Sequence, residues 1–142
     1  MYDDILLPVA PESEADHAIP HAASLAERYD ATVHVIAATD TLDDALQGPR
    51  VATLAERVET AAKERIETVT EQLESHGVSV EAHAVHGSAH EAIIESIESK
   101  GIDLVVMATH RRKGLSRFLL GSVTEKIVRT APVPVLTVPM TD

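Results

Sequence analysis

The chain has 142 residues, a formal net charge of −11, 44% hydrophobic residues and only 2% aromatic ones. That length suits a single domain over residues 1–142, with an aliphatic core that removes roughly two-thirds of the unfolded surface from water. The charge weighs against nucleic acid and anionic membranes as partners, and the absence of cysteine excludes a disulfide framework and thiolate zinc sites.

The N-terminal stretch MYDDILLPVAPESEAD lacks a basic region followed by a long apolar one, so no secretory signal is read there. No run approaches the roughly 18 apolar residues of a membrane span. The expected location is the cytoplasm.

DDILLPV (3–9) is a short apolar run ending at a loop with Pro11, which predicts a strand buried on both faces. In 14–29, Ala18, Ala22, Leu25 and Ala26 fall at helical spacing. Pro20 inside that pattern predicts either a start near Ile19 or a kink. ATVHVIAA (31–38) is rich in β-formers, and 39–50 reads as a loop.

Val51, Leu54, Val58, Ala62, Ile66, Val69 and Leu73 then recur at intervals of three and four, giving one apolar stripe along a helix over 51–77. Glu59 and Lys63 add an i,i+4 pair, and Gly77 suits the helix terminus. VSVEAHAV (78–85) alternates as a strand does. Ser88 and Glu91 form a capping box that opens a helix stopping at Gly101. IDLVVMA (102–108) predicts a fourth strand. Ser122 and Glu125 form a second capping box, Pro132 and Pro134 end that helix, and PVLTVP (134–139) predicts a short last strand.

Strands alternating with helices predict a parallel, doubly wound α/β sheet. Ligands of such sheets sit at the carboxyl ends of the strands, near the point where strand order reverses. The loop HRRKGLSRFLLGS (110–122) lies at one of those ends. It gathers Arg111, Arg112, Lys113 and Arg117, four of the chain's 12 Lys+Arg residues. Gly121-Ser122 ends it at a helix N-terminus, where free N–H groups and the helix dipole suit a phosphate. The bland alternative is an ordinary capping turn with solvated cations.

No Walker A pattern, GxGxxG or GxSxG elbow is present. His17 and His21 stand at i,i+4, and His83, His86 and His90 gather near a strand end. Without cysteine, and in so acidic a chain, these histidines are not assigned a metal. The apolar last strand predicts a sheet edge that would pair with a second copy. The acidity itself suits a salt-rich host.

ILLPV near the start, DLVVMATH (103–110) and GLSRFLLGSVTEKIVRTAPVPVLTV (114–138) together resemble the universal stress protein family over nearly the whole chain. The resemblance implies a Rossmann-like sheet in the order 3-2-1-4-5, related to adenine nucleotide alpha hydrolases, with helices on both faces. It also implies a cytoplasmic homodimer pairing through residues 134–139, and a role in stress tolerance.

Family members that bind ATP carry G-x-x-G, nine residues, then G-S/T, with an Asp in the first loop. Here the first glycine falls on Ala108 and the second on Arg111, with His110 between them; the third falls on Gly121 and the hydroxyl residue on Ser122, followed by Val123. The first-loop Asp falls on Ala10, and the backbone that meets adenine falls near Val35 or Ile36.

The resemblance thus implies ATP or AMP, with Mg2+, at a site whose second half is kept and whose first half is rewritten. Arg111 either blocks the phosphate position or pairs with it. The alternatives are a member that binds no nucleotide and acts through protein–protein contacts, or a slow ATP-hydrolysing enzyme.

Overall fold

The computed structural model describes residues 1–10, 17–39, 49–109 and 122–139. In chain order the elements are β1 (Asp4–Pro8), α1 (Ala18–Tyr29), β2 (Thr32–Ala38), α2 (Pro49–Glu74), β3 (Ser79–Val85), α3 (Ala89–Lys100), β4 (Leu104–Thr109), α4 (Ser122–Thr130) and β5 (Val135–Pro139). All strand pairs are parallel, in the order β3-β2-β1-β4-β5.

Side-chain alternation along the strands divides the core in two. Ile5, Leu7 and Val9 pack with Val33, Val35, Leu104 and Val106 on the face covered by α1 and α2. Leu6, Ile36, Val105 and Met107 point the other way, onto Ile93 and Ile97 of α3 and Ile127 of α4. Ile5, Leu6 and Leu7 are all fully buried, so β1 reads as one apolar run because both of its faces are covered. Each such side chain contributes about 2–3 kcal/mol relative to leaving it in water.

The helices begin and end where local chemistry directs. α1 starts at Ala18, so Pro20 lies in its first turn, where its missing N–H has no intrahelical partner to lose, and no kink is needed. Its C-cap is Asp30, in the left-handed conformation (φ 55°), with its N–H bonded to the Ala26 carbonyl. The helix predicted to run to Gly77 ends at Glu74; Gly77 supplies the positive φ (78°) of the turn that follows, and its N–H bonds the Glu74 carbonyl at 2.9 Å. Ser88 caps α3, accepting from the Glu91 N–H at 3.3 Å, and Gly101 ends it at φ 62°. Ala62, Val69 and Leu73 of the α2 stripe are fully buried. Glu125 in the first turn of α4 pairs with Arg129.

The chain runs outward through β1, β2 and β3 with α1 and α2 on one face. It then returns across the sheet through α3 to β4, and passes to β5 through α4. Strand order therefore reverses between β1 and β4, which opens a crevice at their carboxyl ends. Among the described residues, no helix is long and apolar enough to cross a membrane.

Candidate functional site

The carboxyl edge of the sheet is built from the ends of β1, β2, β3 and β4. β1 is prolonged past Pro8 by the Val9 N–H, which bonds the Ile36 carbonyl at 2.8 Å, and Ala10 follows with its methyl exposed. Across the switch point, Ala108 is half-buried and in register with Val138 of β5. Thr109 beside it is fully buried, and its hydroxyl donates to the Val138 carbonyl at 3.4 Å. Ala10 and Ala108 thus flank the crevice from two neighbouring strands. Neither side chain can accept or donate a hydrogen bond.

Val35 is elsewhere. It is in register with Leu7 on one side and Ala82 on the other, and its side chain is fully buried under α1 and α2. β2 runs on to Ala38, so the backbone at the carboxyl edge belongs to Ala38 and Thr39.

Ser122 is the first residue of α4, and Val123 packs against the core cluster that contains Met107 and Ile127. The first N–H groups of any α-helix lack intrahelical acceptors, and with the dipole they favour an anion. His110, Arg111 and Gly121 lie outside the described residues.

The edge also holds a polar chain that the sequence motifs do not mark. The Thr39 N–H bonds the Val85 carbonyl at 2.9 Å, adding a rung beyond the β2–β3 ladder. The Thr39 hydroxyl lies 3.3 Å from the same carbonyl and 3.1 Å from His86 Nδ1. His86 Nε2 faces Glu59 Oε1 of α2 at 3.4 Å. The clustering of His83, His86 and His90 was the only sequence signal here, and it says nothing of Thr39 or Glu59. His90 meets the Thr130 hydroxyl of α4 at 3.2 Å. Among the described residues, no three His, Asp or Glu side chains converge to hold a metal ion.

The universal stress protein family model matches residues 1–139. The chain belongs to that family. Universal stress protein MJ0531 of Methanocaldococcus jannaschii is 30% identical over 141 residues, covering 97% of this chain and 82% of the relative. The universal stress protein from Archaeoglobus fulgidus in complex with dAMP has the same fold, with a TM-score of 0.71 at 19% identity, over 96% of this chain and 97% of that one. A universal stress protein family protein from Arabidopsis thaliana with AMP bound superposes with a TM-score of 0.67 at 16% identity, over 98% and 92% of the two chains.

Proposed function

We propose that this universal stress protein is a cytoplasmic stress-response module that binds an adenine nucleotide, AMP or ATP, across the carboxyl edge of its sheet. The observation that carries the reading is the start of α4 at Ser122, directly after Gly121 and on the β4 side of the switch point. The dAMP- and AMP-bound relatives of the same fold support it. In this reading Arg111 pairs with phosphate oxygens, a bidentate charge-assisted contact that substitutes for the close backbone approach a glycine would allow.

Calorimetric titration with ATP, ADP and AMP, with and without magnesium, tests the proposal. Heat and a thermal shift at millimolar nucleotide or below are expected; neither effect for any of the three removes it. Arg111→Gly is expected to lower affinity at least several-fold, and a rise in affinity would assign Arg111 the blocking role. Ala10 favours a second reading, in which the protein acts through protein contacts alone, because its exposed methyl cannot hydrogen-bond a nucleotide. A silent titration from a well-folded protein selects that reading.

The same protein is proposed to be a homodimer through β5. Its outer side is an open sheet edge, and Leu136 on it is 37% exposed. Sedimentation at low micromolar concentration should give the dimer mass for the native chain and monomer for Leu136→Lys. A native monomer overturns the assignment.

A further inference from the structure

We propose that the free edge of β3 is a further self-association surface, on which a second copy of this chain pairs its own β3 antiparallel, centred on Ala82. This edge lies across the sheet from β5, and its pairing depends on neither the nucleotide reading nor the β5 dimer.

Among the described residues, β3 has a neighbouring strand, β2, on one side only. On that side the Val85 carbonyl accepts from the Thr39 N–H. Backbone groups of successive residues point to opposite sides of a strand, so Glu81 and His83, like Val85, turn theirs toward β2. Val80, Ala82 and Ala84 turn theirs outward, to the side with no described strand. A row of outward N–H and C=O groups is a template for another strand.

Charged side chains on an edge ordinarily block such pairing, and β3 carries Glu81 and His83, both exposed. On this strand they are self-complementary. They share one face of the sheet, in register with His34 and Ile36 of β2. In an antiparallel pair centred on Ala82, Glu81 stands opposite the partner's His83, and His83 opposite the partner's Glu81. These are the non-hydrogen-bonded positions, where opposed Cα atoms come within about 4.5 Å and side chains are closest. An imidazole N–H can donate to a carboxylate there. One Glu81 oxygen faces His34 at 3.2 Å, but the side chain is 62% exposed and can present the other. The hydrogen-bonded positions fall to the outward-turned residues: Ala82 meets the partner's Ala82, and Val80 the partner's Ala84. A slip of two residues either way opposes Glu81 to itself or His83 to itself. A slip of one sets outward backbone groups against inward ones.

The contact is small, one strand of seven residues from each copy. α2 packs on β3, and its exposed Glu64, Glu67, Glu71 and Glu74, with the net charge of −11, repel a second copy. Both features make the pairing weak, and salt strengthens it by screening the repulsion. With β5 paired as proposed above, the two contacts lie on opposite edges and join dimers into larger assemblies.

The full-length Leu136→Lys variant removes the β5 contact and isolates this one. Its sedimentation between about 10 and about 500 µM, at low salt and at about 1 M, should show monomer passing to dimer as concentration and salt rise. In that background His83→Glu, which sets Glu against Glu81 at both ends of the pair, should weaken association about tenfold or more. Ala82→Pro removes an outward N–H that an edge strand can spare, and should do the same. Glu81→His should also fail to self-pair. Mixing it with His83→Glu restores opposite partners at every position, so the two variants should associate with each other. Monomer for Leu136→Lys at every concentration and salt overturns the proposal. Undiminished association of His83→Glu or Ala82→Pro also overturns it, because the contact then lies elsewhere. So does a mixture that stays monomeric while both of its variants melt as their parent does. A Leu136→Lys dimer at low micromolar concentration that His83→Glu dissolves overturns the β5 assignment and upholds this one.

Discussion

The two ends of the sheet are finished differently. At the amino end, polar groups tie neighbouring strands together. Asp103, just before β4, accepts from the Asp3 and Asp4 N–H groups at 2.9 and 3.0 Å through a single carboxylate oxygen. His34 of β2, almost fully buried, faces Asp4 of β1 at 2.8 Å and Glu81 of β3 at 3.2 Å. Tyr2 and Tyr29 pack together at the same end. At the carboxyl end Ala10 follows β1, β2 stops at Ala38 and β4 runs through Ala108 to Thr109, and among the described residues Thr39, His86 and Glu59 lie near one another at the surface. The amino-end contacts lie opposite the edge proposed for the ligand.

That contrast can be broken by substitution. Asp103→Ala should have the largest effect, a loss of about 2 kcal/mol in urea unfolding, because two backbone donors lose their acceptor at once. Asp103→Asn keeps an oxygen there and should recover most of it. Next, His34→Leu should cost about 1 kcal/mol, moderated because Asp4 and Glu81 are open enough for water to replace the imidazole. Both variants should bind AMP as the native protein does; a changed nucleotide affinity would join the two ends and dissolve the contrast.

Thr39→Val acts at the carboxyl end and should cost less than about 1 kcal/mol, since the backbone rung to Val85 survives. The smallest effect, about 0.3 kcal/mol, is expected for Arg129→Ala, which removes an exposed i,i+4 pair with Glu125; a thermal melt should barely register it. A reversal of this ranking would place the stabilising contacts at the wrong end.

Most of the fold was legible because its signals are local. The apolar run at 3–9, the α2 stripe and the Ser88–Glu91 box each encode an element within a few residues, and each element is present. Element ends were less legible: Gly77 marks the turn, while the helical hydrogen bonds stop at Glu74. Pro20 left two outcomes open, and the start at Ala18 selected the one without a kink.

For the site, the sequence located Gly121-Ser122 at a helix start and Ala10 and Ala108 at strand ends. The resemblance aligned the backbone near Val35 or Ile36 with the base, and β2 continues beyond both to Ala38.

By itself, the sequence determined the alternation of strands and helices, the two-sided burial of β1 and the family, because periodicity, caps and turn residues act over short stretches of chain. Only the tertiary structure decided what lies next to what. Glu59, four residues from Lys63, reaches His86, which lies 27 positions along the chain from it. Asp103 holds the amides of Asp3 and Asp4, which lie about 100 positions away. Such pairs follow from strand order and register, which are set by how two layers of helices pack on one sheet and leave no trace in local spacing.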